Sequence, residues 1–184
     1  MHDNAEPRLP LGTVGWQRQD WLARYYPPDL PPEWRLAYYA NDCGCTLLPA
    51  EAWCGADSDA LEAAVHEAPA RLLFFLQAPA AVTPRVRRAL EIFPPGQTVL
   101  LTAGDDPAYP GWRQWRATGE DAWVDRGTGD CLVRWSVDTF DLRALRARAD
   151  ALDRCVRALV LDGPGADPGR VPELRTLLEL LGRG

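Results

Sequence analysis

Residues 9–53 read LPLGTVGWQRQDWLARYYPPDLPPEWRLAYYANDCGCTLLPAEAW. Gly12 and Gly15 stand close enough to suit a tight change of backbone direction, so 11–15 predicts a short strand ending in a turn. Residues 16–26 are aromatic and polar without a clean period and predict a loop with at most one helical turn. Pro27, Pro28, Pro31 and Pro32 stiffen the next corner, the second pair where a helix should start. Residues 33–41 predict that helix, with Trp34 and Tyr38 one turn apart on one face. A short apolar strand, 45–48, stops at Pro49.

Working outward, Asp57 or Ser58 caps a helix that turns Leu61, Ala64, Val65 and Ala68 inward. Residues 72–77 form an apolar strand of the kind covered on both faces in a parallel sheet. Helix 84–93 ends at Pro94-Pro95-Gly96, and 98–102 is strand. Residues 111–116 read as at most a short helix. Two strands, 122–125 and 131–137, flank the Gly127-Thr128-Gly129 turn. Asp138 or Asp141 caps a helix reaching about residue 154, with Leu142, Leu145, Ala149 and Leu152 on one face. A strand at 156–161 and a helix at 172–181 complete the chain. Strand and helix alternate almost throughout, the pattern of a parallel α/β fold.

At 184 residues and 47% hydrophobic, the chain can bury one core, so the expectation is a single domain over 9–184 behind a frayed tail, 1–8. Acidic residues outnumber basic ones, 26 to 20, and every basic residue is arginine. An acidic chain without lysine is a poor partner for a nucleic-acid backbone. The longest unbroken apolar run, 72–76, cannot span a membrane. The first residues show no basic flank before an apolar run, and the five cysteines are odd in number, so reduced thiols in the cytoplasm are expected.

Gly12-Thr13-Val14-Gly15-Trp16, Asp20-Trp21, Tyr25-Tyr26-Pro27, Trp34 and Tyr38-Tyr39-Ala40 together resemble the YecE-like family (domain of unknown function 72). Its members open with a Gly-Thr-Ser-Gly-Trp turn, a Trp, a Phe-Tyr-Pro corner and a Leu-x-Tyr-Tyr-Ala helix. The resemblance implies a TIM-barrel-like parallel β/α barrel, which usually runs to roughly 250 residues. It continues more weakly through Phe74 to Pro79 and through the strands at 122–125, 132–134 and 156–162. Several polar positions of the family pattern are replaced. Leu47 stands for its Glu, Pro49 for its Asn, Gln77 for its Lys and Pro84 for its His. Leu101, Ala103 and Gly104 fall where it has a Glu-x-Arg-His strand end, and Ser136 near its second His. A strand and helix expected between Thr83 and Arg88 are missing from this alignment. That leaves a shortened barrel of about seven strands, one βα unit short.

Chemistry on such a barrel sits at the C-terminal strand ends, and the polar groups left there are Thr13, Gln77, Asp125, Arg134 and Asp162. Asp125, Arg134 and Asp162 read either as a small anion site, since arginine grips carboxylates and phosphates bidentately, or as a structural ion pair. Thr13, Trp16, Gln77 and Arg134 are the candidate ligand-binding residues. Trp16, Trp21 and Trp34 read as a pocket lining or as plugs for the barrel mouth and helix seams. Cys43, Cys45 and Cys54 lack the paired spacing of a zinc site, so they read as small buried hydrophobes, and neither a metal nor a cofactor is expected. Trp112, Trp115 and Trp123 lie beside the shortened region and predict an apolar patch and open sheet edge, covered by a second copy of the chain or another protein. Two functions follow: a non-catalytic barrel acting through a binding surface, or an enzyme using Asp125 and Asp162 around Arg134 on a small anionic or sugar-like metabolite.

Overall fold

The computed structural model describes residues 8–104 and 106–183; all but the last residue of the expected frayed tail lies outside them. The first strand, β1 (Leu11–Val14), ends at Gly15, whose φ of 71° is a conformation only glycine takes freely. Helix α1 (Gln19–Arg24) follows, then a 3-10 turn at Pro32–Trp34 and α2 (Arg35–Tyr39). Strand β2 (Cys45–Leu48) pairs parallel to β1, Thr13 opposite Thr46. The buried Tyr39 hydroxyl ties the two together. It accepts from the Thr13 backbone N–H at 2.8 Å and donates to the Cys45 carbonyl at 2.9 Å.

Pro49 ends β2 but starts a helix, α3 (Ala50–Cys54), that the sequence reading lacks. Helix α4 (Ser58–His66) is capped by Asp57, which accepts from Ala60 N at 2.9 Å. Strand β3 (Leu73–Gln77), α5 (Pro84–Glu91) with its Thr83 cap, and β4 (Thr98–Thr102) continue the alternation.

Residues 113–136 depart from the expected pattern. The stretch read as a short helix is a strand, β5 (Arg113–Ala117), parallel to β4. Then β6 (Ala122–Val124) and β7 (Cys131–Ser136) follow with both new pairings antiparallel. The connections, 118–121 and 125–130, are far too short for a parallel crossover, which needs a dozen or more residues, so the chain must double back. Helix α6 (Leu142–Asp150), capped by Asp141, leads to β8 (Val156–Asp162), and α7 (Val171–Leu180) closes the chain. Leu142, expected to face inward, is exposed.

Strand β8 pairs with β1, so the eight strands form a closed barrel in chain order. The expected seven strands and open edge are therefore corrected: no strand is missing, and β6 runs against the other seven. The expected aromatic patch is corrected too. Trp115 and Trp123 are only 3% and 5% exposed, because they fill the barrel interior with Leu47, Phe75, Leu101 and Leu132. A second apolar layer, including Trp21, Leu36, Phe74 and Leu178, lies between the strands and the helices. Trp21 is a seam plug whose Nε1 donates to the Ala166 carbonyl, whereas Trp34 is 53% exposed and plugs nothing.

Candidate functional site

The carboxyl ends of the seven co-directional strands share one mouth of the barrel. Gln77, Arg134 and Asp162 each lie two residues beyond an interior side chain (Phe75, Leu132 and Val160), so strand alternation puts all three at this mouth. Arg134 Nε donates to Asp121 Oδ1 at 2.7 Å, and its Nη2 donates to the Glu120 carbonyl at 3.1 Å. Its Nη1 stands 3.7 Å from Asp162 Oδ2, and its guanidinium lies over the Trp123 ring, 5.8 Å from the centroid. Two carboxylates thus flank one guanidinium, which leaves the cluster with no positive charge to offer an anion. Asp121, supplied by the β5–β6 turn, is not among the sequence candidates because 111–116 does not read as a strand and so no turn is expected there.

Asp125 is nowhere near this cluster. It follows β6, the one reversed strand, so it emerges at the opposite end of the barrel. There it accepts from Arg113 Nη2 at 3.0 Å, Trp115 Nε1 at 3.1 Å and the Gly127 N–H at 2.8 Å. Partial burial alone would push its carboxyl up, but the Gly127 and Arg113 hydrogen bonds win, and its pKa sits below the ordinary 3.8. A depressed folded pKa means the stabilisation is complete above 3.8 and is lost as acid carries the pH through the folded value. Asp125→Ala should therefore cost about 2 kcal/mol at neutral pH, and its gap from wild type should close in acid. Thermal melts across that range would show it, and a gap independent of pH would refute it.

The remaining candidates are placed as follows. Thr13 is fully buried, its hydroxyl donating to the Gly15 carbonyl at 2.8 Å, so it holds the turn. The Gln77 backbone carbonyl accepts from Trp53 Nε1 at 3.0 Å. Cys43 and Cys45 are buried, and desolvation pushes both thiols far up. Among the described residues no cluster of His, Cys, Asp or Glu could hold a metal ion.

A concavity lies on the rim of the same mouth, between the β1 turn and the α3–α4 corner. This groove, about 380 Å³, is lined by Gly15, Trp16, Gln17, Leu48, Ala52, Ala56, Asp57, Ala60 and Leu61. Trp16 forms a fixed wall, its carbonyl accepting from the buried Tyr26 hydroxyl. Asp57 is the only titratable side chain in the lining, and it is already engaged as the α4 cap. Of these residues only Trp16 is a ligand-binding candidate in the sequence; Gly15, Asp57 and Leu61 read there as turn, cap and core, and Ala52 and Ala56 belong to the corner built by the unforeseen α3.

Fold and site together define a closed, mixed-direction α/β barrel with an apolar rim groove. The model of the family described as "Protein of unknown function DUF72" matches residues 10–123, more than half of the chain, and the chain belongs to that family. Fifteen solved chains match. Among them is the crystal structure of a DUF72 family protein from Thermotoga maritima, 10% identical, with a TM-score of 0.51. That match covers 97% of this chain and 100% of the other, and at such low identity it speaks for the fold alone. Comparison with curated proteins yields no match. No helix among the described residues is long and apolar enough to cross a membrane.

Proposed function

We propose that this protein is a TIM-barrel derivative that binds a small, uncharged, largely apolar molecule in the rim groove without acting on it chemically. In that derivation the β5–β7 meander stands where a full barrel has βα units. One observation carries the binding reading: the groove is concave, apolar and fixed by Trp16, yet its single titratable group is occupied as a helix cap. General acid–base catalysis needs a group free to give or take a proton. The Asp57 carboxylate also disfavours an anionic ligand.

A neutral naphthylamine fluorophore tests the reading. Wild type should enhance its emission saturably. Ala60→Trp, at an exposed helix position where the propensity cost is below about 0.7 kcal/mol, should fill the groove and weaken binding at least tenfold without changing the melting temperature. Equal affinity in both proteins, or no enhancement in either, would sink the proposal.

The rival reading, an enzyme at the mouth, rests on Asp121, Arg134 and Asp162 converging there. Asp125 sits at the far end of the barrel, too remote to share acid and base roles with Asp162 around Arg134. Arg134→Ala should leave fluorophore affinity within about twofold and cost about 1 kcal/mol, as expected of a partly exposed ion pair. Loss of probe binding in Arg134→Ala would move the site to the mouth.

A further inference from the structure

The two half-exposed cysteines at the far end of the barrel, Cys131 and Cys155, are neighbours across the β7–β8 seam. Cys131 opens β7, and its N–H donates to the Cys155 carbonyl at 2.8 Å. Cys155 precedes Val156, the register partner of Cys131; with strands about 4.8 Å apart and a rise of about 3.3 Å per residue, such neighbours stand roughly 6 Å apart, inside the roughly 4.4–6.8 Å window of Cα separations that a disulfide spans. Burial first, and then the nearby Cys131 thiol, push the Cys155 thiol up, so the two side chains are close neighbours. Both are free, and neither is sealed in the core as Cys43 and Cys45 are. The seam is irregular at this point: Cys131 pairs with Val156 but Leu132 with Ala158, so Arg157 is the extra residue of a bulge.

We propose that Cys131 and Cys155 form a peroxide-responsive thiol pair that closes into an intramolecular disulfide and staples β7 to β8 beside the bulge. Cys131 is the first nucleophile, its Sγ at the surface beside the Gly129 carbonyl, 3.4 Å away. Cys155 is the resolving partner, because burial and then its contact with Cys131 push its thiol up to about 12. The Cys131 sulfur attacks one peroxide oxygen, the O–O bond breaks, and water leaves behind a sulfenic acid. The Cys155 sulfur then attacks the sulfenic sulfur. The S–S bond forms, the S–O bond breaks, and a second water carries off the Cys155 proton. Two thiols are oxidised and one peroxide is reduced to two waters.

The bridge would enclose residues 131–155, which contain Arg134 and the whole of α6. This proposal is independent of the rim groove, because it concerns other elements at the other end of the barrel. Treating the full chain with hydrogen peroxide should lower the thiol count from five to three. Peptide mapping should then recover a Cys131–Cys155 link that dithiothreitol reverses. The oxidised form should melt about 5–10 °C higher, as a loop of this size implies. Cys131→Ser and Cys155→Ser should each abolish both the link and the shift. An unchanged thiol count, a link through Cys54, or a stable sulfinic acid on either residue without a link would overturn the pair. A correct link with no rise in melting temperature would overturn the staple.

Discussion

Gly12→Ala is expected to leave little folded protein. A Cβ built on Gly12 would stand 1.7 Å from the Cys45 carbonyl oxygen and 3.0 Å from the Tyr39 hydroxyl. The first atom is backbone in a paired strand, so no rotamer change relieves the clash, and β1 must move away from β2. That movement breaks the register Gly12–Cys45 and pulls Thr13 from Tyr39. Overpacking alone costs about 1–3 kcal/mol. With the lost pairing the total should reach roughly 4 kcal/mol or more, against a whole-domain stability of about 5–15 kcal/mol. Soluble yield and circular-dichroism melts would measure this, and a melting point within a few degrees of wild type would contradict it.

Tyr39→Phe isolates the hydrogen bonds from the clash. The ring remains in the core, but the Thr13 N–H and the Cys45 carbonyl each lose the hydroxyl they bond. Thr13 and Cys45 are both fully buried. Each stranded group costs about 1–3 kcal/mol, so a loss of about 2–4 kcal/mol and a fall of about 5–12 °C are expected. Tyr38→Phe is the internal control. Tyr38 contributes its ring to a cluster with Tyr25 and Tyr26, so deleting its hydroxyl should matter little. Equal effects of the two substitutions would refute the role given to Tyr39.

These two residues show what was legible. The Gly-Thr-x-Gly-Trp turn and the Tyr-Tyr-Ala helix point to the family because the barrel seam depends on them physically: one position admits no Cβ, and one hydroxyl bridges two strands. Strands β3 and β4 were legible for a simpler reason, since both faces are buried and their runs are apolar. Strand β5 was not. Within Arg113–Ala117 the apolar Trp115 and Ala117 alternate with Gln114 and Arg116, but two apolar residues are too few to fix a period of two, and the stretch reads as at most a short helix. That single misreading hid the eighth strand, opened an edge that is in fact closed, and put Trp115 and Trp123 on the surface.

The site suffered from the same cause. Strand direction decides which end of a barrel a residue occupies, and the reversal of β6 follows from two tight connections. Arg134 and Asp162 lie together because β7 and β8 are parallel neighbours. Asp125 was carried to the wrong end, and Asp121 took its place. The groove depends on where α3 sits against the β1 turn, a tertiary relation that no local pattern carries.

The groove, more than the mouth, is the centre of this account, and backbone and indole NMR resonances followed during titration with the neutral naphthylamine would test it most directly. Binding in the groove should gather the shifts at Gly15, the Trp16 indole, Leu48 and Ala60, with the Arg134 and Asp162 amides unmoved. Shifts gathered at Arg134, Asp121 and Asp162, or none at any concentration, would contradict it.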